Sequence, residues 1–370
     1  MTVAKGLEGV VALDSKISSI VNGVLTYRGI DIDDLAENSN FEEVSFLLWN
    51  GRLPKQDELD VLKQRLASEA ALPEGVVEQL KAYPQNAHPM SALRTAVSTL
   101  GLYDGRADEI SEELNLDKAI SLTAKMPTIV AALFRIGKGE EPVAPQEHRG
   151  FAENFVYMLH GQEPDAVAVK AIDKALILHA DHELNASTFA ARVTTATLSD
   201  LYSAITTAIG TLKGPLHGGA NEGVMAMLEE IGSIDKVEAV INRKLENKEK
   251  IMGFGHRVYK DGDPRAKHLR EMSRQLAEQT GDAKWFEMSV QIDDLIQHEK
   301  GLKPNVDFYS ASTYHYLGIP RNLFTPIFAI SRVSGWTAHV LEQYSDNRLI
   351  RPRADYVGPV DVSYVPIDQR

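Results

Sequence analysis

Three turns in this 370-residue chain each carry a side chain able to donate or accept a proton. They are GPLHGGAN around His217, GFGHRVYKDGDPR around His256, and PNVD ending at Asp307. They follow one another at gaps of 39 and 51 residues. Imidazoles and a carboxylate are the groups of general acid–base chemistry. A lone histidine beside glycines is more often a structural or capping residue, and a lone loop aspartate a solvated group or helix cap. The set of three, in this order, shifts the balance towards chemistry.

The flanking residues sharpen this reading. His217 lies just ahead of a helical segment beginning near Ala220, and a helix amino terminus disfavours imidazolium, so His217 is expected to be a neutral donor. Gly253 and Gly255 permit a tight loop whose backbone can approach a planar ring closely. Arg332 sits in the apolar run IFAISRVSGW, where an unpaired charge is costly, and so requires an anion. His179 and His182 stand at i, i+3 on an expected helix and raise a metal reading, but no HExxH accompanies them and helix packing explains His179 equally well. GFGHRV lacks the third glycine of GxGxxG, and no GxxxxGK[ST] occurs.

The elements that position these turns read as helices. The hairpin signal Asn22-Gly23, between apolar residues 17–21 and 24–27, suits a type I′ turn. From residue 40 the period is helical: Asn40 can cap, Glu43 sits three residues on, and Phe41, Val44, Leu47 and Leu48 share a face. Similar patterns recur at 55–69, 91–101, 118–136, 151–160, 165–180, 185–212, 219–231, 235–248, 264–279, 284–300 and 321–345. The stretch 185–212, rich in Ala, Thr and Ser, reads as one central buried helix. The stretch 304–320 is aromatic and helix-poor. Nothing after the first thirty residues alternates as a strand, so a mainly α fold is expected.

Composition sets bounds. The length exceeds the roughly 250–300 residues at which single cores stop growing, so two lobes are expected. Hydrophobic residues at 44% and charged residues at 25% are those of an ordinary globular chain. A net charge of −13, from 39 basic and 52 acidic residues, argues against nucleic acid as a partner. Cysteine is absent, which removes disulfides and thiolate chemistry. No 18-residue apolar run is apparent and the amino terminus lacks an export pattern, so a cytoplasmic location without a membrane span is expected.

The three turns, with LHADHELNASTF at 178–189, FTPIFAISRVSGWTAH at 324–339 and LIRPRADYVG at 349–358, resemble citrate synthases over most of the chain. The resemblance implies an all-α, multihelical, two-lobed fold with a small amino-terminal β-hairpin. Its large lobe would span 1–217 plus 313–370 and its small lobe 218–312. The implied reaction condenses acetyl-CoA with oxaloacetate and hydrolyses the thioester to citrate and CoA, the opening step of the tricarboxylic acid cycle. It needs no cofactor and no metal, acetyl-CoA being a substrate. On the resemblance Asp307 is the base, His217 the donor to the thioester oxygen, and His256 the donor to the ketone. His182, Arg265, Arg332 and Arg351 would bind oxaloacetate, with Arg351, or alternatively Arg353, reaching across a homodimer. Gly253, Phe254, Gly255 and Lys260 would bind CoA. A 2-methylcitrate synthase using propionyl-CoA is the near alternative, and a non-catalytic helical scaffold the distant one.

Overall fold

The structure is a computed structural model that describes residues 4–256, 258, 259 and 261–370. Near its amino terminus, strands Ser18–Val21 (β1) and Val24–Tyr27 (β2) pair antiparallel with Val21 opposite Val24. Asn22 at φ 52° and Gly23 at φ 80° make the type I′ turn that the dipeptide encodes. A third strand, Ile30–Asp31 (β3), extends the sheet in the order β1-β2-β3 and was too short to show alternation.

Sixteen α-helices are present among the described residues. The first eight are Ile32–Asn38 (α1), Phe41–Asn50 (α2), Gln56–Ser68 (α3), Glu74–Ala82 (α4), Pro89–Leu100 (α5), Glu112–Gly137 (α6), Phe151–His160 (α7) and Ala166–His179 (α8). The capping box read at α2 is formed: Asn40 Oδ1 accepts from the Glu43 N–H at 2.9 Å, and Glu43 accepts from the Asn40 N–H at 3.2 Å. Helices α1 and α4 were not anticipated, because each is short and buries only two or three residues. Helix α6 qualifies the expectation about membranes. By length and composition it could cross one, yet most of its apolar window is buried within the protein, where it packs on α16, α7 and α5.

The segment read as one helix at 185–212 is two, Ala186–Thr195 (α9) and Leu201–Leu212 (α10), packed on each other. The break is chemical. Thr194 and Thr195 bond back to carbonyls four residues earlier, Leu198 takes φ 62°, and Asp200 restarts the chain by accepting the Ser203 N–H at 2.9 Å.

Ala220–Ile231 (α11), Val237–Glu246 (α12), Ala266–Thr280 (α13) and Lys284–Lys300 (α14) follow as expected, with boundary shifts of a few residues. The stretch called helix-poor contains a helix, Val306–Tyr316 (α15). Nine-residue run 306–314 is buried at every position except Asp307, so no polar face marks the helical period. The last helix, Phe324–Ser345 (α16), is buried from Phe324 to Val340 and packs on α2, α6, α8, α9 and α10. Helices α11 to α15 pack chiefly among themselves, with α13 also touching α8 and α11 touching α16.

Gly335 fixes how closely α16 passes the turn after α8. A Cβ there would lie 2.2 Å from the Ala180 carbonyl oxygen and 2.6 Å from Asp181 Oδ1. Only glycine allows that approach, which presses the 180–182 turn, and so His182, onto the central helix.

Candidate active site

Two loop segments, 253–265 and 303–307, are cross-linked into one unit. Phe254 bridges to Pro304, the Gly255 N–H donates to the Lys303 carbonyl at 3.2 Å, and the Asn305 N–H donates to the Gly253 carbonyl at 2.9 Å. Gly253 at φ 83° has no room for a Cβ, which would meet Phe308 and Val224 at 2.8 Å. Asn305 does double duty. Its Oδ1 caps α15 by accepting the Asp307 N–H at 3.1 Å, and its Nδ2 donates to the Gly255 carbonyl at 3.0 Å. Asp263 closes the unit, accepting from the Val306 N–H at 3.0 Å and from Arg265 Nε and Nη2 at 2.9 and 2.8 Å. His256, Arg265 and Asp307 therefore move as one body.

The hydrogen bonds assign each imidazole its proton. His256 Nδ1 accepts the N–H groups of Val258 and Tyr259 at 3.1 and 3.4 Å, so the proton sits on Nε2. His217 Nε2 accepts the Ser187 N–H at 3.2 Å and lies 2.8 Å from the Ser187 hydroxyl, so its proton sits on Nδ1. The helix terminus acting on His217 is thus that of α9. The cap of α11 is Gly219, with no side-chain cap bond, and so His217 does not cap that helix.

Burial, followed by Arg332, pushes His217 down to about 4. Burial, followed by Arg265, lowers His256. His182 is held well below its ordinary value by burial and then by Arg265, Arg332 and His256. All three are neutral donors near neutral pH. His182 rests edge-on to His256, ring centroids 5.2 Å apart, with its Nε2 2.9 Å from the Tyr259 hydroxyl.

Asp307 lies in the first turn of α15, near Arg265 and Arg332. Burial, reinforced by Asp263, pushes its carboxyl up to about 6, against the pull of Arg265 and Arg332. Its carboxylate has no hydrogen-bond partner among the described residues. A carboxyl whose folded pKa is raised penalises the ionised native state, so its effect on stability is absent below about 4 and grows as pH rises to about 6.

The two guanidiniums differ. Burial would lower Arg265, but the fork onto Asp263 overrides it and holds the charge firmly. Arg332 is 2% exposed and is pushed down to about 10, by burial first. Its Nε donates to the His179 carbonyl at 2.6 Å and its guanidinium lies over Phe328, but no carboxylate pairs with it among the described residues. The nearest compensation is Asp181, itself bonded to Ser18 and His339. A buried cation beside neutral donors, with no ion-paired carboxylate among the described residues, is suited to receive an anion.

The structure thus brings His182, His217, His256, Arg265, Arg332 and Asp307 together, with Gly253, Phe254 and Gly255 on the adjoining loop. Arg351 is not among them: it lies in the exposed segment that follows α16. Lys260 lies outside the described residues. His179 and His182 do not share a helix, since α8 ends at His179, whose Nδ1 donates to the Ala175 carbonyl at 2.8 Å in a fully buried site. No group of three or more His, Cys, Asp or Glu is placed to hold a metal ion among the described residues. A cleft of about 710 Å³ lies elsewhere, between Lys81–Pro89, the end of α6 and His315–Leu323.

Sequence reasoning missed Asp263, Asn305, Ser187 and Tyr259 as parts of the site. Asn305 and Asp263 carried a signal, standing in the PNVD and DPR motifs as cap-forming types. Ser187 and Tyr259 stood in the LHADHELNASTF and GFGHRVYKDGDPR stretches, but nothing local marked either as a partner of a histidine.

A family model described as "Citrate synthase, C-terminal domain" matches residues 6–353. Citrate synthase 2 of Bacillus subtilis (strain 168) is 64% identical over 371 residues, spanning 100% of both chains. The chain belongs to the citrate synthase family. Among solved citrate synthases, a ternary complex of the Thermoplasma acidophilum protein with carboxymethyl coenzyme A and oxaloacetate superposes with a TM-score of 0.94 at 35% identity, covering 100% of each chain. The all-α fold with a small sheet is accordingly the citrate synthase fold. A Corynebacterium glutamicum relative, 2-methylcitrate synthase 2, is 44% identical over 100% of this chain and 98% of its own.

Proposed function

We propose that this chain condenses acetyl-CoA with oxaloacetate and hydrolyses the resulting thioester, giving citrate and CoA. The carrying observation is that Asp307, a raised carboxyl without a hydrogen-bond partner among the described residues, shares Arg265 and Arg332 as neighbours with two neutral imidazoles whose protons sit at Nδ1 of His217 and Nε2 of His256. A methyl group beside a thioester is a very weak acid, and a base near 6 can remove its proton only if a donor receives the negative charge developing on the thioester oxygen. Asp307 takes the proton and His217 Nδ1–H stabilises the enolate. His256 Nε2–H polarises the ketone of oxaloacetate, whose carbon the enolate attacks. Arg265 Nη1 and the terminal nitrogens of Arg332 take the carboxylates. The Gly253-Phe254-Gly255 loop receives the CoA adenine, and acetyl-CoA serves as substrate with no further cofactor.

The test is oxaloacetate-dependent release of free thiol, comparing kcat/KM for acetyl-CoA and propionyl-CoA. One methylene is worth only about 1–3 kcal/mol, so some propionyl-CoA turnover is expected. Preference for propionyl-CoA would support the 2-methylcitrate synthase reading that the Corynebacterium relative's name suggests. At saturating oxaloacetate, kcat/KM for acetyl-CoA is expected to fall below pH 6, since Asp307 must be ionised and His217 is already neutral there. A limb near 4, or none, would remove Asp307 from the role of base.

The same reading makes the protein a cytoplasmic homodimer of two-lobed subunits, closing over oxaloacetate between 1–217 with 313–370 and 218–312. Arg351, exposed in its own chain, completes the site of the neighbour. Reassembling inactive Arg351→Ala protein with inactive Asp307→Asn protein is expected to restore roughly a quarter of wild-type activity, because half the dimers are hybrid and one of their two sites is intact. Hybrids verified by mass and still inactive would place the whole site within one chain.

A further inference from the structure

We infer that Tyr259 is a further positioning residue of this site, acting with His182 as a single donor unit for a carboxylate of the keto-dicarboxylate substrate; this rests on the reaction proposed above. Tyr259 is 3% exposed and sits among the site's own groups. Its ring lies 4.6 Å from that of His256 and 5.6 Å from that of His182, and the Arg265 guanidinium lies over it at 5.9 Å. Its hydroxyl meets His182 Nε2 at 2.9 Å and has no other partner among the described residues.

Two other buried tyrosines with bonded hydroxyls show what a structural role looks like. Tyr27 donates to the Ile177 carbonyl at 3.0 Å, and Tyr309 to Asp293 at 2.7 Å. Tyr259 instead spends its hydroxyl on an imidazole of the site, from a loop between α12 and α13 to a turn between α8 and α9.

The proton count gives this pair its consequence. The phenol keeps its proton, because burial raises it well above the working range, and His182 is neutral. A neutral imidazole has one N–H and a phenol one O–H. If His182 Nε2–H donates to the phenol oxygen, the Tyr259 O–H is left over. If the Tyr259 O–H donates to Nε2, the His182 Nδ1–H is left over. Either way one uncharged donor remains, and its direction is fixed by the bond between the two residues. Without the hydroxyl, the imidazole loses the partner that selects its tautomer and ring orientation.

Tyr259→Phe keeps the ring and removes only the hydroxyl. KM for oxaloacetate is expected to rise about tenfold, while kcat and KM for acetyl-CoA at saturating oxaloacetate change less than about twofold. In the double variant with His182→Asn, the rise should equal that of His182→Asn alone, because the two act as one unit. Additive effects, or an unmoved KM for oxaloacetate, would leave Tyr259 with only a structural role. Should the phenylalanine variant not fold, 3-fluorotyrosine at position 259 supplies the readout: its fluorine resonance is expected to move on saturation with oxaloacetate, and an unmoved resonance overturns the assignment. Wild-type thiol release is the control. Its absence would sink the reaction itself, whereas an active wild type with an unaffected Tyr259→Phe variant sinks only this role.

Discussion

Asp307→Asn is expected to lower turnover about 10³-fold while leaving oxaloacetate binding intact, the range that a positioned general base contributes. Asparagine has the same shape but cannot accept the methyl proton. Oxaloacetate binding, measured by titration calorimetry, should survive because the cationic groups and imidazoles are untouched. The variant should also be more heat-stable than wild type at pH 7. The native carboxyl is raised to about 6, so its ionised form is penalised above that pH, and asparagine carries no such penalty. The stability gain should shrink as pH falls from about 6 and vanish below about 4, where both folded and unfolded carboxyls are protonated. Near-normal turnover, or a stability gain that grows as the pH falls, would contradict this account.

The two arginines should separate when each is replaced by methionine. Both variants are expected to lose about 10²–10³-fold in kcat/KM for oxaloacetate, as when one partner of a desolvated charge pair is truncated. Their stabilities should diverge. Arg265→Met leaves Asp263 buried and unpaired, at a cost of about 3–5 kcal/mol. Arg332→Met removes a charge that burial already disfavours and that pairs with no carboxylate among the described residues. It forfeits one hydrogen bond to the His179 carbonyl, so the net change should stay within about 1 kcal/mol. Denaturant unfolding of the two proteins decides the matter. Equal destabilisation would mean that Arg332 is held by a structural anion partner rather than kept for substrate.

The sequence by itself determined what is local. Asn22-Gly23 encoded the hairpin turn through its positive φ angles, Asn40 with Glu43 encoded a helix start, and the glycines around His217 and His256 marked turns where a side chain can face a ligand. The order of His217, His256 and Asp307 carried the family, because motif spacing is preserved in the chain whatever the packing. Arg332 in an apolar run carried its own argument, since burial of a charge is legible from its neighbours.

Packing decided the rest. Helix α15 could not be read, because burial on nearly every side erases the polar face that marks a helix. The break at 196–200 turned on competing threonine and aspartate bonds that residue counts do not weigh. The imidazole tautomers were set by Ser187, Val258 and Tyr259, the first of them thirty residues away from its partner. The Asp307 carboxyl is raised to about 6 only in the folded chain, where desolvation outweighs the pull of Arg265 and Arg332. Hydrogen-bond partners and desolvation belong to distances between remote segments, and those distances exist only in the folded chain.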